Sequence, residues 1–244
     1  MEKGQAMIGV IGGNGVAATN KLCQIIENKC TKNGAFRDCH HPEMLVWQAT
    51  QAPSRSMYLE GRGESFLADY IRIGKHLKAC GCQTLCMCCN TAHYFIHELE
   101  DGIGIRFINI LEEVAKQIKL NGGGKIGIMC SDGLRKVGLY ETEIHHFSPK
   151  AEIIYPTANL QVLVTKGICN AKNNKRYLPA DNEEHPHYCF STVCDWFAAQ
   201  GCDTIVAGCT DIRNVFYREP TPYQNYIDSL EVLANTIIKY SLEK

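Results

Sequence analysis

The chain of 244 residues carries one short sequence pattern twice. The residues that recur at a constant spacing of 120 are Ala79, Gly81, Cys82, Thr84 and Cys89, matched by Ala199, Gly201, Cys202, Thr204 and Cys209. Upstream, Ile8-Gly9-Val10 with Gly15 matches Ile126-Gly127-Ile128 with Gly133 at a spacing of 118. Near-constant spacing across two separate blocks indicates a duplicated half. The sequence therefore predicts two half-domains facing one cleft, to which each contributes a cysteine, Cys89 or Cys209.

Short apolar runs alternate with longer amphipathic stretches through both halves. The predicted strands cover 7–11, 44–49, 84–88, 107–110, 126–130, 153–155 and 204–207, and the predicted helices cover 17–29, 65–79, 94–98, 111–120, 134–147, 159–168, 188–200 and 230–240. Continuously apolar strands interleaved with helices are typical of parallel sheets covered on both faces. The predicted fold class is α/β, with two similar three-layer α/β/α domains, mostly parallel sheets, a pseudo-twofold relation and an active site between the domains.

Glycine and proline clusters predict the domain boundaries. Asn121-Gly122-Gly123-Gly124 predicts a flexible link between halves, and Pro220-Thr221-Pro222 marks the return of the chain. The N-terminal domain is expected at 1–120 plus 222–244, where a short strand at 226–227 and the last helix pack back on it, and the C-terminal domain at 121–221. The polar stretch 170–186 predicts a long surface loop, as a lid or a partner contact.

Composition excludes several classes of protein. The net charge of −1 gives no reason to expect nucleic acid or an anionic membrane as a partner. No apolar run approaches the roughly 18 residues that span a bilayer, and the N-terminus lacks the layout of a signal peptide, so a cytoplasmic location is expected. Secreted disulfide scaffolds are usually short; the 14 cysteines of this longer chain indicate a reducing compartment and mostly buried, structural thiols.

The turn Gly12-Gly13-Asn14-Gly15 follows the first predicted strand. Gly13-x-Gly15-x-x-Ala18 fits the Gly/Ala form of the dinucleotide fingerprint. That fingerprint needs a carboxylate near the end of the second strand, and the segment 47–51 contains none. The turn is therefore interpreted either as a tight strand–helix connection or as a site where free backbone N–H groups meet an anion such as a substrate carboxylate.

The cluster of Cys80, Cys82, Cys86, Cys88 and Cys89 invites a zinc interpretation. Structural zinc sites pair their ligands in C-x2-C turns, whereas Cys86 and Cys88 are predicted on a buried strand. Cys89 differs from the others because the turn Asn90-Thr91 follows it at the carboxyl end of a strand, where open α/β sheets place ligands. A helix predicted from Ala92 would favour its thiolate, and Cys209 has an equivalent setting.

A cysteine hydrolase is an alternative, because His93 follows Cys89 by four residues. Such enzymes need one nucleophile and one positioned base. They give no reason for a second cysteine in a duplicated setting, and His93 can equally make a local hydrogen bond on a helix.

These motifs resemble the aspartate/glutamate racemase family, in particular its aspartate racemase branch. Cys89-Asn90-Thr91-Ala92-His93 resembles the motif C-N-T-x-H, and Gly208-Cys209-Thr210-Asp211-Ile212 resembles G-C-T-E/D-I. The other matching segments are Gly12 to Thr19 with G-G-M-S/G-P-x-S/A-T, Pro53-Ser54-Arg55-Ser56 with P-D-R-T, and Lys166-Gly167 with K-x-G. Asn14, Val16 and Ser54 depart from the family's Met, Pro and Asp, which leaves the substrate open.

The resemblance implies racemisation of aspartate or glutamate without pyridoxal phosphate, metal or other cofactor. Cys209 would remove the α-proton of the L-enantiomer and Cys89 that of the D-enantiomer, each thiol serving as acid and base. The residues expected at a dicarboxylic amino-acid substrate are Asn14, Arg55, Asn90, Thr91, Lys166 and Thr210, with Arg55 and Lys166 holding carboxylates. The family commonly forms homodimers.

Two other functions stay open. The same fold can serve a decarboxylase or a cis–trans isomerase of a dicarboxylate, because fold does not fix function. A non-catalytic ligand- or metal-binding protein is the alternative from another class.

Overall fold

The computed structural model describes residues 6–242, and within them the strands form two four-stranded sheets. The strands are β1 (Ile8–Gly12), β2 (Met44–Gln48), β3 (Thr84–Met87), β4 (Phe107–Ile108), β5 (Lys125–Met129), β6 (Glu152–Ile154), β7 (Thr204–Ala207) and β8 (Asn225–Asp228). The first sheet has the order β2-β1-β3-β4 and the second β6-β5-β7-β8, with every neighbouring pair parallel. The identical strand order confirms the predicted α/β class with parallel sheets.

Helices cover both faces of the two sheets. They are α1 (Val16–Lys32), α2 (Arg55–Leu59), α3 (Leu67–Ala79), α4 (Ile96–Ile103), α5 (Ile110–Leu120), α6 (Asp132–Val137), α7 (Leu139–Phe147), α8 (Ala158–Asn170), α9 (Pro186–Ala199) and α10 (Ser229–Leu242). Short 3-10 helices occupy Asp38–His40, Asn90–Phe95, Asn174–Tyr177 and Ile212–Asn214. Within residues 6–242, no helix combines the length and the apolar character that crossing a membrane requires.

The repeated residues occupy equivalent places in the two sheets. Ile8 pairs with Thr84 in the first sheet, as Ile126 pairs with Thr204 in the second. The glycine after each isoleucine lies under a bulky side chain: a Cβ on Gly9 would come within 2.3 Å of a Leu85 methyl carbon. The repeated Ile-Gly pair is therefore a packing requirement of the central strands.

The largest apolar cluster lies between the two sheets. It combines side chains of α1, α5, α7 and α10 with residues from both sheets, such as Cys86 of β3 and Val206 of β7. A second cluster joins the outer face of the first sheet to α3 and α4, and a third joins the outer face of the second sheet to α8 and α9. Because both faces of the central strands are covered, their residues are uniformly buried and show no alternation of apolar and polar residues.

Several predicted elements differ from the structure. The helix expected over 134–147 is two helices, because Gly138 adopts a left-handed conformation with φ of 66° between α6 and α7. The helix expected over 94–98 is the end of a 3-10 helix followed by α4. The short helix α2 is missing from the prediction.

The domain allocation of the return segment also needs correction. The sequence predicts the strand at 226–227 in the N-terminal domain, but β8 pairs in parallel with β7 and completes the second sheet. Helix α10, which follows it, packs against α1 and α5 of the first half. The chain therefore crosses back after Asp228, and not at residue 222.

Candidate active site

Cys89 and Cys209 line one cavity of about 350 Å³, called the thiol cavity below. Cys89 lies just beyond the carboxyl end of β3, and Cys209 just beyond that of β7. Because β3 and β7 hold the same position in their sheets, the duplicated halves present their cysteines from equivalent points. Carboxyl ends of parallel strands are where open α/β sheets bind ligands.

Arg55 is the cation beside Cys89. It is the first residue of α2, which Ser54 caps by accepting a hydrogen bond from the Met57 N–H at 3.4 Å. Burial lowers the pKa of Arg55, but the neighbouring Cys89 sulfur raises it, and Nη1 donates a hydrogen bond to the Pro53 carbonyl at 3.0 Å. The buried Arg55 Nε has no hydrogen-bond partner in the described part of the chain, so it retains a donor for a ligand.

Cys209 has an acidic neighbour, Asp211. Burial raises the pKa of its thiol to about 12, the Asp211 carboxylate raises it further, and the Lys172 ammonium opposes both effects. Asp211 Oδ2 lies 4.0 Å from the Cys209 sulfur and 2.8 Å from Lys172 Nζ. Burial also raises the pKa of Asp211, against the pull of Lys172. Burial and the Asp211 carboxylate therefore disfavour the thiolate of Cys209, whereas Lys172 favours it.

The glycine turn of the first half is in contact with the Asp211 side chain of the second half. Gly15 has φ of 152°, and a Cβ there would lie 2.1 Å from Asp211 Oδ1. Gly13, with φ of 75°, passes so close to the backbone of Ala49 that a Cβ would lie 2.6 Å from its N atom. These glycines are explained by close approach of protein groups, which removes the main reason for a dinucleotide interpretation.

Polar side chains at the cleft bond across the two halves. Asn90 accepts a hydrogen bond from the Tyr140 hydroxyl at 2.8 Å and donates one to Ser229 Oγ at 3.0 Å. In the opposite direction, the Thr210 hydroxyl donates to the Cys88 carbonyl at 3.2 Å. Both residues line the thiol cavity as expected, but their side chains hold the halves together. The Thr91 hydroxyl similarly lies 3.2 Å from Ser131 Oγ.

His93 holds the loop of Cys89 in place through backbone hydrogen bonds. Its Nε2 accepts from the Ile110 N–H at 3.2 Å, so Nδ1 carries the proton and donates to the Cys89 carbonyl at 3.0 Å. Burial lowers the pKa of His93 to about 4. With both ring nitrogens bonded to the backbone, this neutral histidine is not placed as the base of a cysteine hydrolase.

Of the two other residues predicted to bind substrate, Asn14 lines the thiol cavity and Lys166 does not. Asn14 is buried, lines the thiol cavity and accepts a hydrogen bond from the Tyr70 hydroxyl. Lys166, expected at the substrate, lies outside the thiol cavity and pairs with Glu184 at 2.6 Å. The lysine that reaches the cavity is Lys172, just beyond the end of α8. The helical spacing of Thr165, Ile168, Cys169 and Lys172, which all line the cavity, is the signal that could have identified it.

The charges around the thiol cavity are mostly paired. Lys172 pairs with Asp211 and Arg62 pairs with Glu60. Among residues 6–242, Arg55 has no carboxylate within ion-pair distance. Arg55 is therefore the cation most available to a substrate carboxylate.

The other cysteines of the first half do not converge. Cys86 and Cys88 face the cluster between the sheets, whereas Cys82 belongs to the cluster on the outer face. In the described part of the chain, no three histidine, cysteine or acidic side chains are arranged to hold a metal ion. Cys86 and Cys88 thus pack as small apolar side chains.

Comparison with known proteins gives a consistent result. The family model for Asp/Glu/Hydantoin racemase matches residues 8–237. The chain is 25% identical to glutamate racemase of Persephonella marina over 189 residues, which are 74% of this chain and 66% of that protein. It is 21% identical to the broad specificity amino-acid racemase RacX of Bacillus subtilis over 212 residues, covering 86% of this chain and 87% of the relative.

Solved structures share the fold. Aspartate racemase of Picrophilus torridus superimposes with a TM-score of 0.81 at 23% identity, covering 97% of this chain and 94% of its own. Glutamate racemase RacE1 of Bacillus anthracis superimposes with a TM-score of 0.62 at 16% identity, covering 97% of this chain and 81% of its own. These likenesses confirm the architecture of two α/β domains.

Proposed function

Because the chain belongs to the Asp/Glu/Hydantoin racemase family, we propose that it interconverts the enantiomers of aspartate or glutamate with two cysteines and no cofactor. The observation that carries this proposal is the shared cavity: Cys89 and Cys209 reach it from equivalent positions of the two duplicated halves. A stereocentre held between them would have one sulfur on each face. That arrangement suits removal of a proton from one side and its replacement from the other.

The reaction needs one thiolate and one thiol in each direction. The thiolate takes the α-proton, so the Cα–H bond breaks, an S–H bond forms and the electron pair stays on the substrate. The opposite thiol then gives its proton to the other face, which restores a Cα–H bond and leaves a thiolate. Each turnover exchanges the protonation states of Cys89 and Cys209, and the next substrate must be the opposite enantiomer or the protons must re-equilibrate.

Each cysteine would act on one enantiomer of the substrate. By resemblance to the family, Cys89 would deprotonate the D-enantiomer and Cys209 the L-enantiomer. Burial raises the pKa of the Cys209 thiol, and Asp211 adds to that effect, so Cys209 must lose its proton before it can act as the base. Lys172 would stabilise the thiolate of Cys209 at that stage, because it lowers the pKa of this thiol.

Arg55 and Lys172 are the proposed carboxylate ligands. The unpaired Arg55 has a free donor in the cavity wall and would bind one carboxylate of the substrate. Lys172 would share its charge between Asp211 and the second carboxylate of a dicarboxylic amino acid. Positive charge aimed at the α-carboxylate also stabilises the negative charge that develops there during proton removal.

Proton exchange at Cα tests the proposal most directly. The purified protein is incubated in D2O with each common amino acid, one enantiomer at a time, and the Cα proton signal is followed by NMR together with chiral chromatography. We expect loss of the Cα signal and appearance of the other enantiomer with aspartate or glutamate. Loss of a carboxyl group without inversion would show a decarboxylase instead. No exchange with any amino acid would refute the racemase proposal.

A further inference from the structure

A second cavity of about 570 Å³ adjoins the thiol cavity and is called the outer cavity here. Arg55, Lys172 and Asp211 line both cavities and form the wall between them. The outer cavity is also lined by the glycine turn with the start of α1 and by Arg176, together with Asn20, Thr50, Ala52 and Ser54. A small molecule in the outer cavity would therefore touch the same cations that the proposed reaction uses.

The outer cavity has an excess of positive charge. The charged side chains that line it, within residues 6–242, are the three cations Arg55, Lys172 and Arg176 and the single carboxylate of Asp211. Helix α1 begins at Val16 on the same boundary, and its first turn contains no acidic residue. The positive end of a 17-residue helix adds to the attraction for an anion.

Arg176 is held over the outer cavity by its backbone. It lies in the 3-10 helix Asn174–Tyr177 of the long loop. His185 Nδ1 accepts from the His187 N–H at 3.0 Å, so its Nε2 carries the proton and donates to the Arg176 carbonyl at 3.0 Å. Nearby, Asn170 donates to the Glu184 carbonyl at 2.7 Å, which ties the two ends of the loop together.

The guanidinium of Arg176 has no carboxylate within ion-pair distance in the described part of the chain; its Nη2 donates to the Tyr177 hydroxyl at 2.5 Å. The preceding residue, Lys175, differs in both respects. It does not line the outer cavity, and its ammonium lies 3.9 Å from Glu184. Two adjacent cations thus have different electrostatic surroundings.

We propose that the outer cavity is a binding site for a small carboxylate, which Arg176 draws in before it passes the wall of Arg55 and Lys172 into the thiol cavity. The occupant is the anionic substrate or product in transit, so this step rests on the proposed function, whereas binding of a carboxylate as such does not. Focused positive charge in a cleft raises the local concentration of anions and their rate of arrival. The effect falls with ionic strength because salt screens partly exposed charges.

Succinate is the probe for the binding test, because it carries two carboxylates but has no stereocentre to react. Its affinity for the full chain is measured by calorimetry at low salt for the wild type, Arg176→Gln, Arg176→Lys and the matched control Lys175→Gln. Both glutamine variants remove one positive charge from neighbouring positions, so net charge is the same. We expect Arg176→Gln to weaken binding by about threefold to tenfold, Arg176→Lys to retain most of it and Lys175→Gln to change it by less than about twofold.

Unchanged succinate affinity in Arg176→Gln, or equal losses in Arg176→Gln and Lys175→Gln, would overturn the binding site. The kinetic arm follows kcat/KM for aspartate against salt, where Arg176→Gln should lower the value at low salt and converge on the wild type at high salt. If the protein is a racemase but Arg176→Gln changes neither the succinate affinity nor kcat/KM, this binding site is rejected and the proposed function is retained. Arg176-dependent succinate binding without any Cα exchange rejects the proposed function and retains the site.

Discussion

The carboxylate of Asp211 lies directly against Gly15, so that the glycine turn of one half closes on the cysteine loop of the other. Asp211 is almost fully buried, and its two oxygens have different surroundings. Oδ2 forms an ion pair with the Lys172 ammonium, whereas Oδ1 has no hydrogen-bond partner within residues 6–242. The turn that resembles a nucleotide motif in the sequence is therefore part of the wall around Cys209.

Gly15→Ala should disrupt this wall. The new Cβ would overlap Asp211 Oδ1 at 2.1 Å in a backbone conformation with φ of 152°, and left-handed strain alone costs about 1–3 kcal/mol. We expect a lower melting temperature and loss of most racemase activity. Gly34→Ala is the control, because Gly34 has φ of 97° with no atom within 4 Å of its Cβ position. It should lose some stability and keep activity; equal activity in both variants would contradict the role of the contact.

Cys89→Ala and Cys209→Ala should each abolish interconversion, with rates reduced by about 10²–10⁴-fold, because each removes one of the two acid–base groups. The single thiol that remains can still exchange the proton it faces. Cys209→Ala should then exchange the Cα proton of the D-enantiomer only, and Cys89→Ala that of the L-enantiomer only, as measured by NMR in D2O. Cys80→Ala, at an exposed thiol beyond α3, is the control. Full racemisation in either catalytic variant would rule out the two-thiol mechanism.

The variants Lys172→Ala and Lys166→Ala test which of the two lysines binds a substrate carboxylate. Lys172 lines the thiol cavity and pairs with the buried Asp211, so its loss should lower kcat/KM for aspartate by about tenfold or more, the usual scale for a charged hydrogen bond. Lys166 makes a solvent-exposed pair with Glu184, and such pairs contribute little. Its variant should stay within about twofold of the wild type. A larger effect at Lys166 would restore the motif-based assignment.

Protonation of His93 should lower the free energy of unfolding at acid pH. Its folded pKa of about 4 lies below the ordinary value of 6.5, so the unfolded chain binds the proton more tightly. The stabilisation is complete above pH 6.5 and is lost as pH falls towards 4, by a total of about 3 kcal/mol. His93→Gln should flatten that part of the stability curve in urea titrations at successive pH values. His145→Gln, at an exposed histidine, is the control and should leave the slope intact.

The repeat explains why much of this fold could be predicted from one sequence. The paired blocks around Gly9 and Gly127 predict two equivalent central strands, β1 and β5. Cys89 and Cys209 are equivalent in the same way, because each follows the strand next to the central strand of its own sheet. Local patterns set these features, because a buried parallel strand must be apolar along its whole length. The structure places both cysteines at one cavity.

Other features depended on contacts distant in sequence. Lys172 was missed because it follows the end of α8, where the motif at Lys166 suggested a different face of the helix. The sequence predicts the side chain of Asn90 at the substrate. Its amide instead forms hydrogen bonds with Tyr140 and Ser229, which are 50 and 139 residues away in the sequence. No local pattern reports such partners. The place of β8 in the second sheet likewise follows from pairing with β7 and not from composition.

The apolar cluster between the sheets has a consequence for how the two halves of this chain stay together. Each half contributes one side of that cluster, so a half standing alone would expose the inner face of its sheet to water. A chain nicked by protease at Gly122–Gly123 should accordingly elute as one intact particle in gel filtration and separate into fragments only in denaturant.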